Sequence, residues 1–375
     1  MREGTAVKKL YAFRGHEVIE SVVDAKLEAA GYTRVEEIRN AEIVVTYFTN
    51  LSALETAYFD EGGIVEEAAP GTLVIEMSAE TPTFARELFA IVDASKMMFA
   101  EAPLMVLDGC VDNAFAEKEN LACFLAAEKD AVEEALPVLQ TLVGAIHETT
   151  GCGSASMSRA AYTIQSMAEF TAAIEADALY RAVRMMPAGI GEAAMGNAGA
   201  ISSAADAILR AVDEGRFCGT YTVEMMMGEL AAALTAAEEA EISLPQAESC
   251  LQLLEILAII GGADNGPAVL TMAFRDQSEV EAIGLDWGRA AKLSETHAHE
   301  HDDDDYDEYD EELSDDLMVD IMARMFDDAS GDEDVIDEEE EDEEDYGFLD
   351  DDPGYDDNDR DYVEFADQED YDFED

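Results

Sequence analysis

The order of strand and helix patterns along the chain constrains its fold more than any other feature. In residues 1–150, short apolar runs such as KKLYAF, IVVTYF and TLVIEM alternate with helical patterns such as HEVIESVVDAKLEAAGY and TPTFARELFAIVDAS. Strict alternation of strands and helices predicts a parallel sheet with helices on both faces. We therefore expect an α/β fold, with a doubly wound sheet domain over residues 1–150.

The second half of the chain carries helical patterns only. From Ser154 to Met185 the sequence is an almost unbroken series of helix-forming residues with apolar side chains at helical spacing. Further helical stretches follow, separated by glycine and proline, and no strand pattern interrupts them. The sequence predicts an all-helical domain over residues 151–291, whose first helix is long enough to connect the two domains.

From residue 292 onward the sequence is dominated by acidic residues. The net charge of the chain is −67, and roughly forty of its 88 acidic residues follow residue 296. Low hydrophobicity and high like charge do not offset the entropy lost on ordering, so residues 292–375 are predicted to be disordered. Within them, residues 313–326 carry apolar side chains at helical spacing. This segment is predicted to form a short helix that docks in a hydrophobic groove, or to be a remnant without function.

The acidic tail holds one candidate metal site. His297, His299 and His301 precede four aspartates, and alternating imidazoles can bind a divalent transition metal ion. Adventitious binding is the stronger interpretation, because ligands in a flexible chain form only a loose site. The tail as a whole is expected to keep the protein solvated, or to dock a basic protein partner.

Charge and cysteine usage restrict the compartment and the partners. A strongly acidic surface repels nucleic-acid phosphates and anionic membranes, so neither is an expected partner. The five cysteines form no CxxC pair, which favours reduced thiols over a disulfide framework. The first residues, MREGTAVKKLYAF, lack the apolar region of a signal peptide. We expect a soluble cytoplasmic protein.

Four strings of the sequence, in a fixed order, indicate a family. They are PGTLVIEMSAETP at 70–82, AEAPLMVLDG at 100–109, GCGSASMSRAA at 151–161 and GELAAALTAAEEAEISLP at 228–245. Together they resemble the NAD(P)-dependent β-hydroxyacid dehydrogenases, the 3-hydroxyisobutyrate dehydrogenase and 6-phosphogluconate dehydrogenase-like group. The resemblance implies NAD(P) as the cofactor, a Rossmann domain, a long interdomain helix and a helical domain that builds a homodimer.

The resemblance also locates the cofactor contacts. The family begins with a strand and a GxGxxG turn whose glycines let backbone N–H groups approach the pyrophosphate. No such turn precedes the first predicted strand here, and EGTAVKKLYAFR resembles the family's second strand, so we expect a truncated Rossmann-like domain. The remaining cofactor-contact positions are Phe48, Thr49, Ser78 and Ala79. Ser78 is also compatible with a role as a cap or turn residue.

The substrate-binding positions of the family have lost their polar groups. The family's substrate loop reads approximately D-A-P-V-S-G-G, in which serine and glycine N–H groups bind the substrate carboxylate. The matching anion-binding half of this chain is Leu104, Met105, Val106 and Leu107. A substrate carboxylate buried there without donors would cost several kcal/mol.

The catalytic positions of the family are altered as well. The family's lysine and asparagine, in a G-x-G-x-x-x-K-x-x-x-N pattern, fall on Met157 and Ala161, and a further lysine of a K-D-L string falls on Gly228. No catalytic residue of the pattern is therefore intact. Arg159 cannot replace the lysine, because two residues correspond to about 200° around a helix. Met157 is expected to fill the core or a cleft.

Two functions remain open from the sequence, and whether the chain is an enzyme is uncertain. The first is a degenerate homologue without the usual hydride transfer, which acts as a binding or scaffolding module. The alternative is an NAD(P)-dependent oxidoreductase on a small hydroxyacid or a related carbonyl or imine substrate, with its glycine-rich loop omitted by a late start. The methionine run 225–227 is interpreted as core or interface packing rather than a metal site.

Overall fold

The structure is a computed structural model that describes residues 9–184 and 203–290. All described residues belong to one compact unit. The predicted disordered tail, its short helix at 313–326 and the three histidines lie outside the described residues, and these predictions stay untested.

The first domain alternates strands with helices, as the sequence predicts. Its strands are β1 (Leu10–Gly15), β2 (Thr33–Arg34), β3 (Ile43–Tyr47), β4 (Leu73–Glu76), β5 (Met98–Glu101), β6 (Leu104–Val106), β7 (Leu121–Ala127) and β8 (Ala145–Glu148). Its helices are α1 (Glu17–Ala29), α2 (Leu51–Phe59), α3 (Ile64–Glu67), α4 (Pro82–Ala94) and α5 (Lys129–Leu142).

The strands form one sheet in the order β2-β1-β3-β4-β5-β7-β6, and β8 also pairs with β7. β1 to β5 are parallel, with Ile43 opposite Leu73 and Leu73 opposite Met98 in register. β7 is antiparallel to both β5 and β6. The expectation of a parallel sheet is therefore wrong for the pairing of β7 with β5 and β6. The connection between β6 and β7 contains no crossover helix, and an antiparallel neighbour needs none.

Both faces of the sheet are buried. Along β1, Tyr11 and Phe13 belong to one core cluster while Ala12 belongs to the other. This alternation follows from the two-residue period of side chains along a strand. α1 and α5 cover the first face, and α2 and α4 cover the second. The sheet is thus a doubly covered layer whose loops at the carboxyl ends of the parallel strands share one edge.

The regular elements of the second domain are helices in its described residues, which also contain one isolated β-bridge between Cys218 and Asn265. Its helices are α6 (Ser154–Arg184), α7 (Ser203–Asp213), α8 (Val223–Glu239), α9 (Pro245–Leu257) and α10 (Gln277–Ala282), with a 3₁₀ segment at Pro267–Phe274. α6 packs against α7, α8 and α9, and it also contacts β7 of the sheet domain. The long connecting helix expected from the sequence is confirmed.

Three features bear on the sequence expectations. Met225 and Met226 are buried in the core, which agrees with their interpretation as packing residues. All five cysteines are free thiols. In residues 9–184 and 203–290, no helix has the length and apolar character needed to cross a membrane.

Candidate functional site

The fold places its ligand crevice between β1 and β3. The chain leaves β1 toward β2 on one side, and it continues from β3 to β4 on the other. In open α/β sheets such a topological switch point lies where ligands bind, outside the carboxyl ends of the strands. Phe48 and Thr49 follow β3 directly, and Ser78 and Ala79 follow β4. The structure therefore brings all four predicted cofactor contacts to this edge.

Backbone contacts join the carboxyl ends of β1 and β3 at the switch point. β1 ends at Gly15, and α1 begins two residues later after the N-cap His16. The amide of His16 donates to the carbonyl oxygen of Tyr47 at 2.9 Å, which joins the two sides of the switch point. A Cβ on Gly15 would lie 1.8 Å from the same oxygen. Gly15 is therefore required where β1 passes β3, and a ligand at the switch point would lie outside these paired strand ends.

The N-terminus of α1 is also unsuited to an anion. A helix N-terminus attracts phosphate because its first N–H groups are free and its dipole is positive there. Here His16 Nδ1 already accepts from the amide of Val18, and the first turn carries Glu17 and Glu20. A pyrophosphate at this position would meet the carboxylate of Glu17, whereas Glu20 is ion-paired with Arg34.

The helical domain packs directly on the β3 side of the crevice. A Cβ on Gly228, in α8, would lie 1.7 Å from the carbonyl oxygen of Thr49. Glycine is therefore required for this approach, and a lysine at this position has no room in the observed packing. The family's K-D-L lysine position has become a point of contact between the two domains.

Ser78 has a structural partner in place of a cofactor. Its hydroxyl oxygen accepts from the amide of Phe48 at 2.8 Å, and its own amide donates to Glu76 at 2.7 Å. Glu76 also accepts from the hydroxyls of Thr46 and Tyr58, at 2.6 Å and 2.8 Å. The interpretation of Ser78 as a residue that holds the turn after its strand agrees with these bonds.

Glu101 occupies the N-terminus of α6. Its carboxylate accepts from the amide of Gly153 at 2.6 Å and from the amide and hydroxyl of Ser156 at 2.5 Å and 2.6 Å. Glu101 is fully buried. The GCGS string therefore does lead into a helix beside an anion, but the anion is a side chain of the same protein. A carboxylate here is favoured by the free N–H groups and by the helix dipole.

Replacing Glu101 with glutamine tests this role. The amide retains one oxygen and loses the charge, so we expect the free energy of unfolding to fall by about 1–2 kcal/mol, the usual size of a lost N-cap. Urea denaturation measures it. Glu148, exposed on the edge strand β8, supplies the matched control, because Glu148→Gln removes an exposed carboxylate and should change stability little. An equal effect of the two substitutions would contradict the capping role.

The catalytic positions lie on the solvent side of α6. Met157 is 48% exposed, and Ala161 is exposed one turn later. The expectation that Met157 fills the core is therefore wrong, whereas a position in an open cleft stays a prediction. The phase of α6 is set by its other face, where Ala155, Ala160 and Thr163 are buried, and this leaves residue 157 outside. Arg159 lies on the buried face, as the helical geometry predicts.

Arg159 forms a buried ion pair between α6 and α8. Its Nη2 lies 2.5 Å from Glu229 Oε2, and both side chains are almost fully buried. Nε of Arg159 donates to the carbonyl oxygen of Leu104 at 2.7 Å, and Nη1 bonds Thr163. Burial alone would lower the pKa of the Arg159 guanidinium, and the neighbouring Glu229, Tyr221 and Tyr47 together more than offset that effect, so the pKa is raised. The guanidinium therefore remains charged.

A tyrosine completes this network. The hydroxyl of Tyr221 donates to Glu229 Oε2 at 2.7 Å. Burial first, and the carboxylate of Glu229 second, raise the pKa of Tyr221. Neither Glu229 nor Tyr221 was singled out from the sequence. The available signal was a lone acid in the apolar string MMMGELAAAL, which is unusual unless the acid is paired.

The substrate-loop positions are covered by protein. Leu104, Met105 and Val106 form β6 and are buried, whereas Leu107 is exposed. Their carbonyl groups are engaged, since Leu104 accepts from Arg159 and Val106 accepts from Tyr162 at 3.0 Å. A bound carboxylate would have to displace these contacts. Across the described part of the chain, no group of three or more His, Cys, Asp or Glu residues is arranged to hold a metal ion.

The residues at the crevice do not fit the family's cofactor as they stand. The turn at the switch point has one glycine, Gly15, in place of a GxGxxG motif, its adjacent helix begins with acidic residues, and Thr49 contacts Gly228. Ser78 is engaged with Phe48. A dinucleotide would need the two domains to move apart at this edge, and no reaction step through it follows from the described residues.

The sheet with a crevice at its carboxyl edge, the long connecting helix and the helical layer together define a two-domain dehydrogenase fold. Comparison with known proteins agrees. Residues 3–152 match the NAD binding domain of 6-phosphogluconate dehydrogenase. The chain is similar to the NAD(P)-dependent β-hydroxyacid dehydrogenases, as its sequence strings indicate, and this similarity points to NAD(P) as the cofactor.

The individual relatives are distant. The chain is 29% identical over 140 residues to an NAD-dependent L-serine dehydrogenase of Pseudomonas aeruginosa, covering 36% of this chain and 45% of that one. It is 22% identical over 256 residues to 2-(hydroxymethyl)glutarate dehydrogenase of Eubacterium barkeri, covering 68% and 82%. The structure of Mycobacterium tuberculosis 3-hydroxyisobutyrate dehydrogenase superposes with a TM-score of 0.59 at 18% identity, over 72% of this chain and 100% of that one. This likeness shows the fold.

Proposed function

We propose that this protein is a degenerate homologue of the β-hydroxyacid dehydrogenases, which has lost the usual hydride transfer and acts as a binding or scaffolding module. The observation that carries the proposal is the position and pairing of the polar groups between the two domains. The lysine position is Met157, on the solvent side of α6, while the buried cation Arg159 is neutralised by Glu229. Arg159, paired in this way, offers no net charge to stabilise a developing oxyanion.

The proposal includes two further properties of the protein. It forms a homodimer, and it is located in the cytoplasm. Met157 and Leu179, which are 48% and 67% exposed, lie on the outer face of α6, where contact with a second copy would remove them from water. Five free thiols suit a reducing compartment. Light scattering that gives a monomer at micromolar concentration would contradict the dimer.

The second candidate is an NAD(P)-dependent oxidoreductase on a small hydroxyacid or a related carbonyl or imine substrate. The observation in its favour is the match of residues 3–152 to an NAD binding domain. It requires an open form in which Thr49 separates from Gly228 and the bonds from Arg159 and Tyr162 to the β6 carbonyls break. It also requires a proton donor other than residue 157.

A direct assay separates the two candidates. We expect no NAD⁺- or NADP⁺-dependent oxidation of L-serine, 3-hydroxyisobutyrate or 2-(hydroxymethyl)glutarate by the purified protein. Restoring the family lysine with Met157→Lys should not create activity, because residue 228 stays blocked by Thr49 and the substrate loop stays covered. Since residue 157 is half exposed, this substitution should change stability by no more than about 0.5 kcal/mol.

The readout is absorbance of the reduced nicotinamide at saturating substrate. An active 3-hydroxyisobutyrate dehydrogenase assayed in parallel serves as the positive control, and nicotinamide fluorescence on titration with NADH and NADPH reports cofactor binding independently of turnover. Losing a positioned acid–base group costs on the order of a hundred- to ten-thousand-fold in rate. Turnover at ordinary dehydrogenase rates by the wild-type protein would overturn the proposal and favour the oxidoreductase.

A further inference from the structure

Glu80 is a buried carboxyl group without a hydrogen-bond partner. It lies in the connection between β4 and α4, and it is 3% exposed. Neither of its two carboxyl oxygens has a donor in the part of the chain that the structure describes. An ionised carboxylate in that position would be both desolvated and unpaired, which is the costliest arrangement for such a group.

Two other carboxyl groups lie beside it. Glu76 and Glu101 are register partners on the adjacent strands β4 and β5, so their side chains leave the sheet on the same face. Both are fully buried and both accept several hydrogen bonds. Burial nevertheless raises the pKa of Glu76, and its hydrogen bonds offset this only in part. Burial first, and then the charges of Glu76 and Glu101, raise the pKa of Glu80 well above its usual range.

The remaining groups around Glu80 do not neutralise it. The titratable and charged groups on the surrounding elements are Tyr58 on α2, Arg86 on α4, Cys152 before α6 and Glu239 on α8. Arg86 is exposed and donates to Thr83 on its own helix. Tyr58 donates to Glu76, and Cys152 donates to the carbonyl of Ala85.

Glu80 lies where the sheet domain meets the helical domain. Its neighbour Thr81 donates to Glu239 of α8 at 3.2 Å, and Cys152, just before α6, bonds Ala85 of α4 at 3.2 Å. We call this contact the seam, formed by residues 78–86 on one side and by residues 152–156 and Glu239 on the other. Only a few polar bonds cross it at this point, so a local change in charge can separate its two sides.

We infer that Glu80 is a proton-sensitive latch on the seam: the protonated side chain lets the seam stay closed, and transfer of its proton to solvent water drives the seam open. The direction of the pH dependence follows from the linkage between proton binding and opening. A carboxyl whose pKa is higher in the closed form than in the open form favours the closed form fully below the open-form pKa. That contribution is lost as the pH rises toward the closed-form pKa. Opening uncovers Ser78 and Ala79, so access to the crevice becomes dependent on pH.

Hydrogen exchange measured by mass spectrometry between pH 5.5 and 8 tests the latch. After correction for intrinsic exchange, the opening constant of wild-type peptides covering 78–86 and 152–158 should rise about tenfold per pH unit, the slope of one proton. In the Glu80→Gln variant the side chain at position 80 cannot ionise. The slope of the logarithm of the opening constant against pH should therefore be lower by about one than in the wild type. Glu87→Gln, an exposed glutamate on α4, is the matched control and should keep the wild-type slope.

Three results would overturn the latch. The first is an equal slope in wild type and Glu80→Gln. The second is a pH-independent seam in the wild-type protein. The third is a change that is uniform over the whole molecule, with peptides from α1 affected as much as the seam, because that would report global stability instead of local opening. Glu80→Met, which has no titratable proton, should reproduce Glu80→Gln, and it replaces that variant if the amide prevents folding.

Discussion

Replacing Glu229 with glutamine is expected to lower the free energy of unfolding by about 3–5 kcal/mol, the usual cost of removing one partner from a buried ion pair. The substitution keeps the shape of the side chain and an acceptor for Tyr221. It leaves the guanidinium of Arg159 charged and buried between α6 and α8, with neutral partners only. Urea denaturation followed by circular dichroism measures the loss.

A double variant separates the effect of the ion pair on stability from the effect of its surroundings. Combining Glu229→Gln with Arg159→Met removes the uncompensated charge, so the double variant should recover most of the stability that the single variant loses. The exposed pair of Arg210 and Asp206 on α7 is the control, since Asp206→Asn should cost less than about 1 kcal/mol. A loss below 1 kcal/mol for Glu229→Gln would mean that the pair does not hold the two helices together.

The second large effect is expected at Gly228. In an ordinary helix, changing glycine to alanine stabilises by up to about 1 kcal/mol. Here the new Cβ would meet the carbonyl oxygen of Thr49 at 1.7 Å, so α8 or the loop after β3 must move. We expect Gly228→Ala to destabilise by about 3 kcal/mol or more, the upper range for overpacking against backbone.

Whether Gly228→Ala stabilises or destabilises the protein decides if the two domains are in contact at this point. Ala231→Gly, on an exposed turn of the same helix, should cost about 1 kcal/mol and so calibrate the ordinary propensity of α8. A stabilising Gly228→Ala would show that the two domains are not packed at this point in solution. It would also restore the oxidoreductase as the better candidate, because a lysine could then be accommodated there.

Much of the fold could be predicted because its pattern is periodic. The longer strands and helices of the sheet domain have enough residues for a two-residue or 3.6-residue period to show, as in β3 and α1. Strand β2 has two residues and β6 has three, too few to carry a period. The antiparallel direction of β7 depends on the path of the chain, and an apolar run such as LACFLAA does not encode it.

The candidate site was predictable in its positions but not in its contacts. Resemblance identified residues 104–107, 157 and 228, since these follow from aligned strings. The capping of α6 by Glu101 and the pairing of Arg159 with Glu229 join residues more than fifty positions apart, and such contacts need the folded chain. The error at Met157 arose because its apolar side chain suggested burial, whereas the helix phase decides it. Nothing in the local sequence marks Glu80 as buried.

The carboxylate of Glu101 at the start of α6 has a consequence for ligands. A helix N-terminus that already holds a tethered anion is a receptor occupied by its own ligand. A tethered group acts at an effective concentration in the millimolar range or above, so a free anion must exceed that level before it competes. Weakly binding metabolite carboxylates and inorganic phosphate are therefore excluded by mass action, without any steric barrier.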